Sequence, residues 1–141
     1  MKRIFLSLVL VLAFSVPALA VERCDNCRMK VPDDSRYKVT VTLKDGGKKL
    51  TCSLFCASMV RERQSGEVAG TATVDYLTGE ELKAEDAVWV EGSDARAVMS
   101  DKSRIAFKDS ASAEAFVKEH GGRVTTFDEA YKDSVMEWKG K

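Results

Sequence analysis

Four cysteines and two methionines carry the sulfur chemistry open to this chain. Cys24 and Cys27 stand in CDNCRMK at residues 24–30, with Met29 two positions after the second cysteine. Cys52 and Cys56 follow in TCSLFC, and Met99 comes much later in AVMSDK. C-x2-C followed by C-x3-C is spaced for four thiolates around a zinc ion. The same residues could form two disulfides, or a redox dithiol. Met29 and Met99 open a fourth chemistry, because a thioether is of little use to zinc but is a good ligand for soft Cu(I). Read as an extended segment, Cys27-x-Met29 would place its thiolate and thioether on one side of the chain. Met59 and Met136 fall in apolar helix stripes and read as packing.

The redox reading is disfavoured. A thioredoxin-type pair sits at a helix start after a strand, and no strand pattern precedes Cys24. Cys52 and Cys56 instead straddle a strand-to-helix junction, where the helix dipole favours thiolate. His120, the single histidine, sits before Gly121-Gly122 and reads as a complement to a helix C-terminus rather than a ligand. With no nucleophile–base pair, phosphate loop or carboxylate dyad in the pattern, the chain is expected not to be an enzyme.

Compartment is set by residues 1–20. Lys2 and Arg3 precede an apolar run from Ile4 to Val16, then Pro17 and Ala18-Leu19-Ala20. That is a secretory signal peptide cut between Ala20 and Val21, too short to be a membrane span. Val21-Glu22-Arg23 before Cys24 lacks the small residues of a lipid-attachment site, so a lipoprotein is not expected. The mature chain is expected in the periplasm or secreted, without stable membrane insertion. Removing Lys2 and Arg3 leaves 22 − 2 = 20 basic against 22 acidic residues. The resulting −2 with interspersed signs speaks against nucleic-acid binding.

The elements that must position these residues follow from periodicity. RYKVTVTL at residues 36–43 alternates as a strand, Asp45-Gly46-Gly47 signals a hairpin, and residues 48–52 return. Ser53 is placed to cap a helix carrying Phe55, Cys56, Met59 and Val60 and ending near Gly66. Ala72, Val74 and Tyr76 alternate as a third strand. In the second half, residues 96–99 and 103–107 read as a strand pair around Ser100-Asp101-Lys102. Residues 111–119 read as a helix stopped by Gly121, and 124–127 as a strand. Thr126-x-x-Glu129 reads as a capping box opening a last helix, and AVWV at 87–90 as a joining strand. Residues 48–75 superpose in pattern on 103–130. The expected fold class is therefore α+β, two tandem ββαβ units packed together, divided as residues 21–92 and 93–141.

Three stretches carry a resemblance to a known family. "CDNCRM", "DGGKKLTCSLFCASM" and "AVMSDKSRIAFKDSASAEAFVKEHGGRVTTFDEA" resemble the NosL accessory proteins of nitrous oxide reductase, across residues 24–131. The resemblance implies an organomercurial-lyase-like fold of two ββαβ units and one Cu(I) bound outside the cytoplasm. It implies a metallochaperone that hands copper to a receiving protein or a transporter-associated maturation complex. The family's Cys-x-Met falls on Cys27 and Met29, and its later methionine on Met99. Beside these, Cys24 is read as an alternative or supporting thiolate, and Cys52 and Cys56 lie outside the family's usual copper set. A four-cysteine zinc-binding interaction module and a thiol-disulfide oxidoreductase stand as the alternatives.

Overall fold

The computed structural model describes residues 21–141, and the expected leader at residues 1–20 lies outside them. The first unit runs β1 (Val39–Leu43), β2 (Lys48–Thr51), α1 (Leu54–Arg63), β3 (Val68–Val74) and an added strand β4 (Glu81–Lys83). The second runs β5 (Val88–Glu91), β6 (Arg104–Phe107), α2 (Ser110–His120), β7 (Arg123–Thr125) and an added helix α3 (Phe127–Lys139). All pairing is antiparallel within two sheets, ordered β2-β1-β3-β4 and β6-β5-β7. Each unit thus places its first strand in the middle, with the hairpin partner on one side and the strand after the helix on the other. The expected repeat of two ββαβ units is the observed architecture.

One strand assignment differs. Residues 96–99 form no strand, and the partner of β6 is β5, with Trp89 opposite Ala106 and Val90 opposite Ile105. The strand read as a connector is the middle of the second sheet, so that sheet begins upstream of residue 93. The physical reason is two-sided burial. Trp89 joins the core between the units, while Val90 joins the core under α2. A strand buried on both faces reads as a continuous apolar run with no alternation to mark it.

Local signals explain the remaining elements. Leu43 N–H donates to Gly47 O and Gly46 N–H to Leu43 O, closing the β1–β2 hairpin, with Gly46 at φ 86°. That left-handed conformation is unhindered only for glycine. Asp109 caps α2 by accepting from Ser112 N–H, and Thr126 caps α3 by accepting from Glu129 N–H. Ser53 occupies the N-cap position of α1, but its hydroxyl makes no capping bond.

The units share a core of Val39, Val41, Leu54, Val60, Trp89 and Phe127 among others, and α1 packs on α3. Asp75 joins them at the sheet edges. It bridges in parallel to Ala106, and Tyr76 N–H donates to Ala106 O. Its carboxylate accepts from the Thr78 N–H and hydroxyl and from Lys108 N–H. No helix among the described residues is long and apolar enough to cross a membrane.

Candidate metal centre

Residues 24–29 form a tight loop rather than an extended segment. Arg28 N–H donates to Cys24 O at 2.9 Å and Cys24 N–H to Met29 O at 2.8 Å, while Arg23 and Lys30 form an antiparallel bridge. Arg28 sits at φ 65°, so the side-by-side placement of Cys27 and Met29 expected from extended geometry does not occur. The turn instead folds Cys24 and Cys27 toward one point. Asp25 N–H donates to Leu50 O at 2.8 Å, docking this loop on the end of the β1–β2 hairpin.

Cys52 follows β2 directly and Cys56 lies in the first turn of α1. The strand end therefore delivers one thiol and the helix start the other. All four Sγ atoms lie within 4.8 Å of one another. Cys52 Sγ is 3.6 Å from both Cys27 Sγ and Cys56 Sγ, and none of the four is in a disulfide. Cys24, Cys52 and Cys56 are buried and Cys27 is partly exposed. Val31 and Phe55 wall the cluster, and Met59, Val98 and Trp138 pack against it. The second unit thus contributes Val98 and the end of α3 to the cover.

The clustered thiols shift one another's ionisation. Hydrogen bonds from Cys52 and Cys56 hold the Cys24 thiol far below its ordinary pKa, against its burial and with help from Cys27 N–H. The same sharing pushes Cys52 up, through Cys24, then Cys56, then burial. Cys56 is pushed up to about 12, chiefly by its bond to Cys24 and by burial. A buried array can concentrate only limited charge without a cation.

Asn26, which sequence reasoning passed over, supports this array. Its Nδ2 donates to Cys56 Sγ at 3.4 Å and to Met59 Sδ at 3.1 Å, while its Oδ1 accepts from Arg63 Nη2 at 2.7 Å. The arginine fixes which way the amide points. No local pattern announces a contact across 30 residues. Met59 is correspondingly more than a packing residue, since its sulfur joins the cysteine neighbourhood.

Met29 and Met99 are surface residues, 38% and 44% exposed. Met29 shares a groove of about 440 Å³ with Cys52, Arg96 and Val98. Met99 follows Val98 directly. Its φ of 62° makes it, with Arg28, one of two non-glycine residues at positive φ among the described residues. Its loop is anchored by Asp101 N–H donating to Glu137 Oε1 at 2.7 Å, and Glu137 also accepts from Arg104. His120 lies elsewhere, bonded through Nδ1 to Asp94 Oδ1 at 2.9 Å and stacked on Phe116. Met136 is exposed rather than packed in an apolar stripe.

The NosL family profile matches residues 16–135 of this chain. The chain belongs to the NosL family. The crystal structure of the copper chaperone NosL from Shewanella denitrificans matches with a TM-score of 0.66 at 22% identity, covering 79% of this chain and 93% of that one. At that identity the likeness establishes the shared fold. No curated protein sequence matches the chain. Within this NosL-family fold the four clustered cysteines are able to hold a metal ion, as thiolates suited to soft and borderline cations.

Proposed function

We propose that this NosL-family protein is a Cu(I) metallochaperone. Working outside the cytoplasm after removal of its leader at Ala20–Val21, it passes copper to a receiving protein in nitrous oxide reductase maturation. The cargo ion is held by the Cys27 thiolate with the thioethers of Met29 and Met99, and Cys24 serves as a supporting thiolate. The observation that carries this reading is the gradation of sulfur from inside to outside. Cys27 is the partly exposed member of the thiol cluster, and Met29 leaves the same loop into solvent.

A carrier needs ligands that a partner can reach and replace. Cu(I) accepts sulfur at low coordination number, so a three-sulfur site at the surface leaves room for an incoming ligand. Among the described residues, the two left-handed non-glycine residues fall at Arg28, between Cys27 and Met29, and at Met99 itself. Such conformations cost on the order of 1–2 kcal/mol each and cluster where function demands a fixed geometry. Transfer consists of ligand exchange at the metal, with no bond in the protein made or broken.

Anaerobic titration against a chromophoric Cu(I) chelator tests the reading. The parent should withdraw about one Cu(I) per chain, and Cys27→Ser should withdraw none. A Cys27→Ser chain that competes like the parent refutes it.

A further inference from the structure

The four cysteines have a geometry that the carrier role does not require. In a tetrahedral zinc–thiolate site with Zn–S near 2.3 Å, the sulfurs stand about 3.8 Å apart. Here two separations are 3.6 Å, and no pair exceeds 4.8 Å. Three of the four thiols are buried, with Val31, Phe55 and Trp138 closing round them. Two of the sulfurs are already oriented by N–H donors: Cys27 N–H points to Cys24 Sγ at 3.5 Å, and the Asn26 amide to Cys56 Sγ. A closed set of four thiolates with oriented support describes a site that keeps its metal. An ion in transit needs an open position.

The segment around this site is held by a few hydrogen bonds and buried side chains rather than by regular secondary structure. Residues 21–37 contain no helix and no strand beyond the isolated Arg23–Lys30 bridge. They nonetheless carry two of the four thiols and are ordered against β2 and α1. A metal on Cys24 and Cys27 from this segment and on Cys52 and Cys56 from the hairpin–helix junction would tie the two together.

We infer that Cys24, Cys27, Cys52 and Cys56 form a closed tetrahedral Zn²⁺ site that fixes residues 21–37 to the β2–α1 junction, separately from the cargo copper. On binding, the protons still carried by the thiols pass to solvent and four thiolates surround the ion. Zinc is the match because it is a d10 cation with no geometric demand of its own and favours tetrahedral sulfur. Coordination also keeps the thiols from oxidation in a compartment where free thiols pair. Cys27 belongs to both sites. A zinc-bound thiolate retains a lone pair, so its exposed side can still face Cu(I) held with Met29 and Met99. The inference goes beyond the carrier reading and shares with it Cys27 and the supporting Cys24.

The test uses the full mature chain purified without oxygen and without added metal. Elemental analysis should give about one zinc per chain, retained after one equivalent of Cu(I) has been bound. Replacement by Co²⁺ should give intense sulfur-to-cobalt charge-transfer bands with the strong visible bands of a tetrahedral ion. Cys52→Ser should lose more than nine-tenths of the zinc, and Met29→Ala combined with Met99→Ala should lose none. If Cys52→Ser does not fold, the cobalt spectrum of the unaltered chain decides. Stoichiometric displacement of zinc by Cu(I), iron in its place, or metal-free protein with disulfides or four titratable thiols overturns the inference. Copper binding without zinc defeats this site and leaves the carrier reading standing. Zinc retention without copper binding does the reverse.

Discussion

The Sγ atoms of Cys27 and Cys52 lie 3.6 Å apart, one on a loop before the first strand and the other where the first hairpin ends. That contact joins the sulfur that faces solvent to the sulfurs that do not. It makes Cys27 the partly exposed member of an otherwise buried set of thiols, and the consequences can be measured.

Ligand charge should rank the copper variants. Cys27 brings the negative charge to Cu(I) that neither thioether can supply, so its loss should abolish binding. Met29→Ala and Met99→Ala should each weaken binding roughly tenfold, about 1.4 kcal/mol, with the circular-dichroism spectrum unchanged. Cys52→Ser with Cys56→Ser removes no proposed copper ligand, so its loss of Cu(I) affinity should be smaller than that of Cys27→Ser. Chelator competition on the five proteins checks the order. Equal losses across the set would mean that the ion sits elsewhere in the cluster.

Asn26→Ala should weaken metal retention without touching a ligand. It removes the N–H donor to Cys56 and frees Arg63 from its partner, and losses of such supporting bonds run about 10–100-fold. Asn26→Asp should be worse, because it replaces a donor with an anion beside thiolates. Dissociation rates into excess chelator measure both, and parental rates would remove Asn26 from the site.

Glu91 and Arg104 form the buried ion pair of the second unit, at 2.8 Å with both side chains at most 3% exposed. Arg104 continues to Glu137, which holds the Met99 loop through Asp101 N–H. Glu91→Ala leaves the buried guanidinium one carboxylate short and should cost about 3–5 kcal/mol. Urea unfolding gives the value directly, and a loss below 1 kcal/mol would show the pair to be dispensable.

Acid should loosen the junction between the two units. Burial raises the Asp75 pKa, but the bonds from Thr78 and Lys108 outweigh it and leave the carboxyl below its ordinary value. A depressed native pKa contributes stability that is full above the unfolded value of about 3.9 and is lost as pH falls through the native one. Asp75→Asn should remove that dependence and lower stability by about 1–3 kcal/mol at neutral pH. Unfolding free energies from pH 7 down to 3 compare the two chains, and parallel curves would exclude Asp75 as the source.

Residue types and short spacings set much of this protein. Period-two alternation marked β1, Thr126 stood at a helix start, and Gly121 stood at a helix end. The match of residues 48–75 to 103–130 foretold two units with one strand order. All these are signals between residues a few positions apart, which the backbone brings together whatever the rest of the chain does. Tertiary packing decided the remainder. β5 became a central strand because both its faces are buried, a condition that erases alternation. The loop at Cys24–Met29 turned where an extended run was expected, because docking on Leu50 and the left-handed Arg28 bent it. Sequence spacing permitted several fates for the cysteines, and only the approach of that loop to the β2–α1 junction placed four sulfurs within reach of one ion. No local pattern encodes that approach, because it is the packing of separate elements that sets the distance between their side chains.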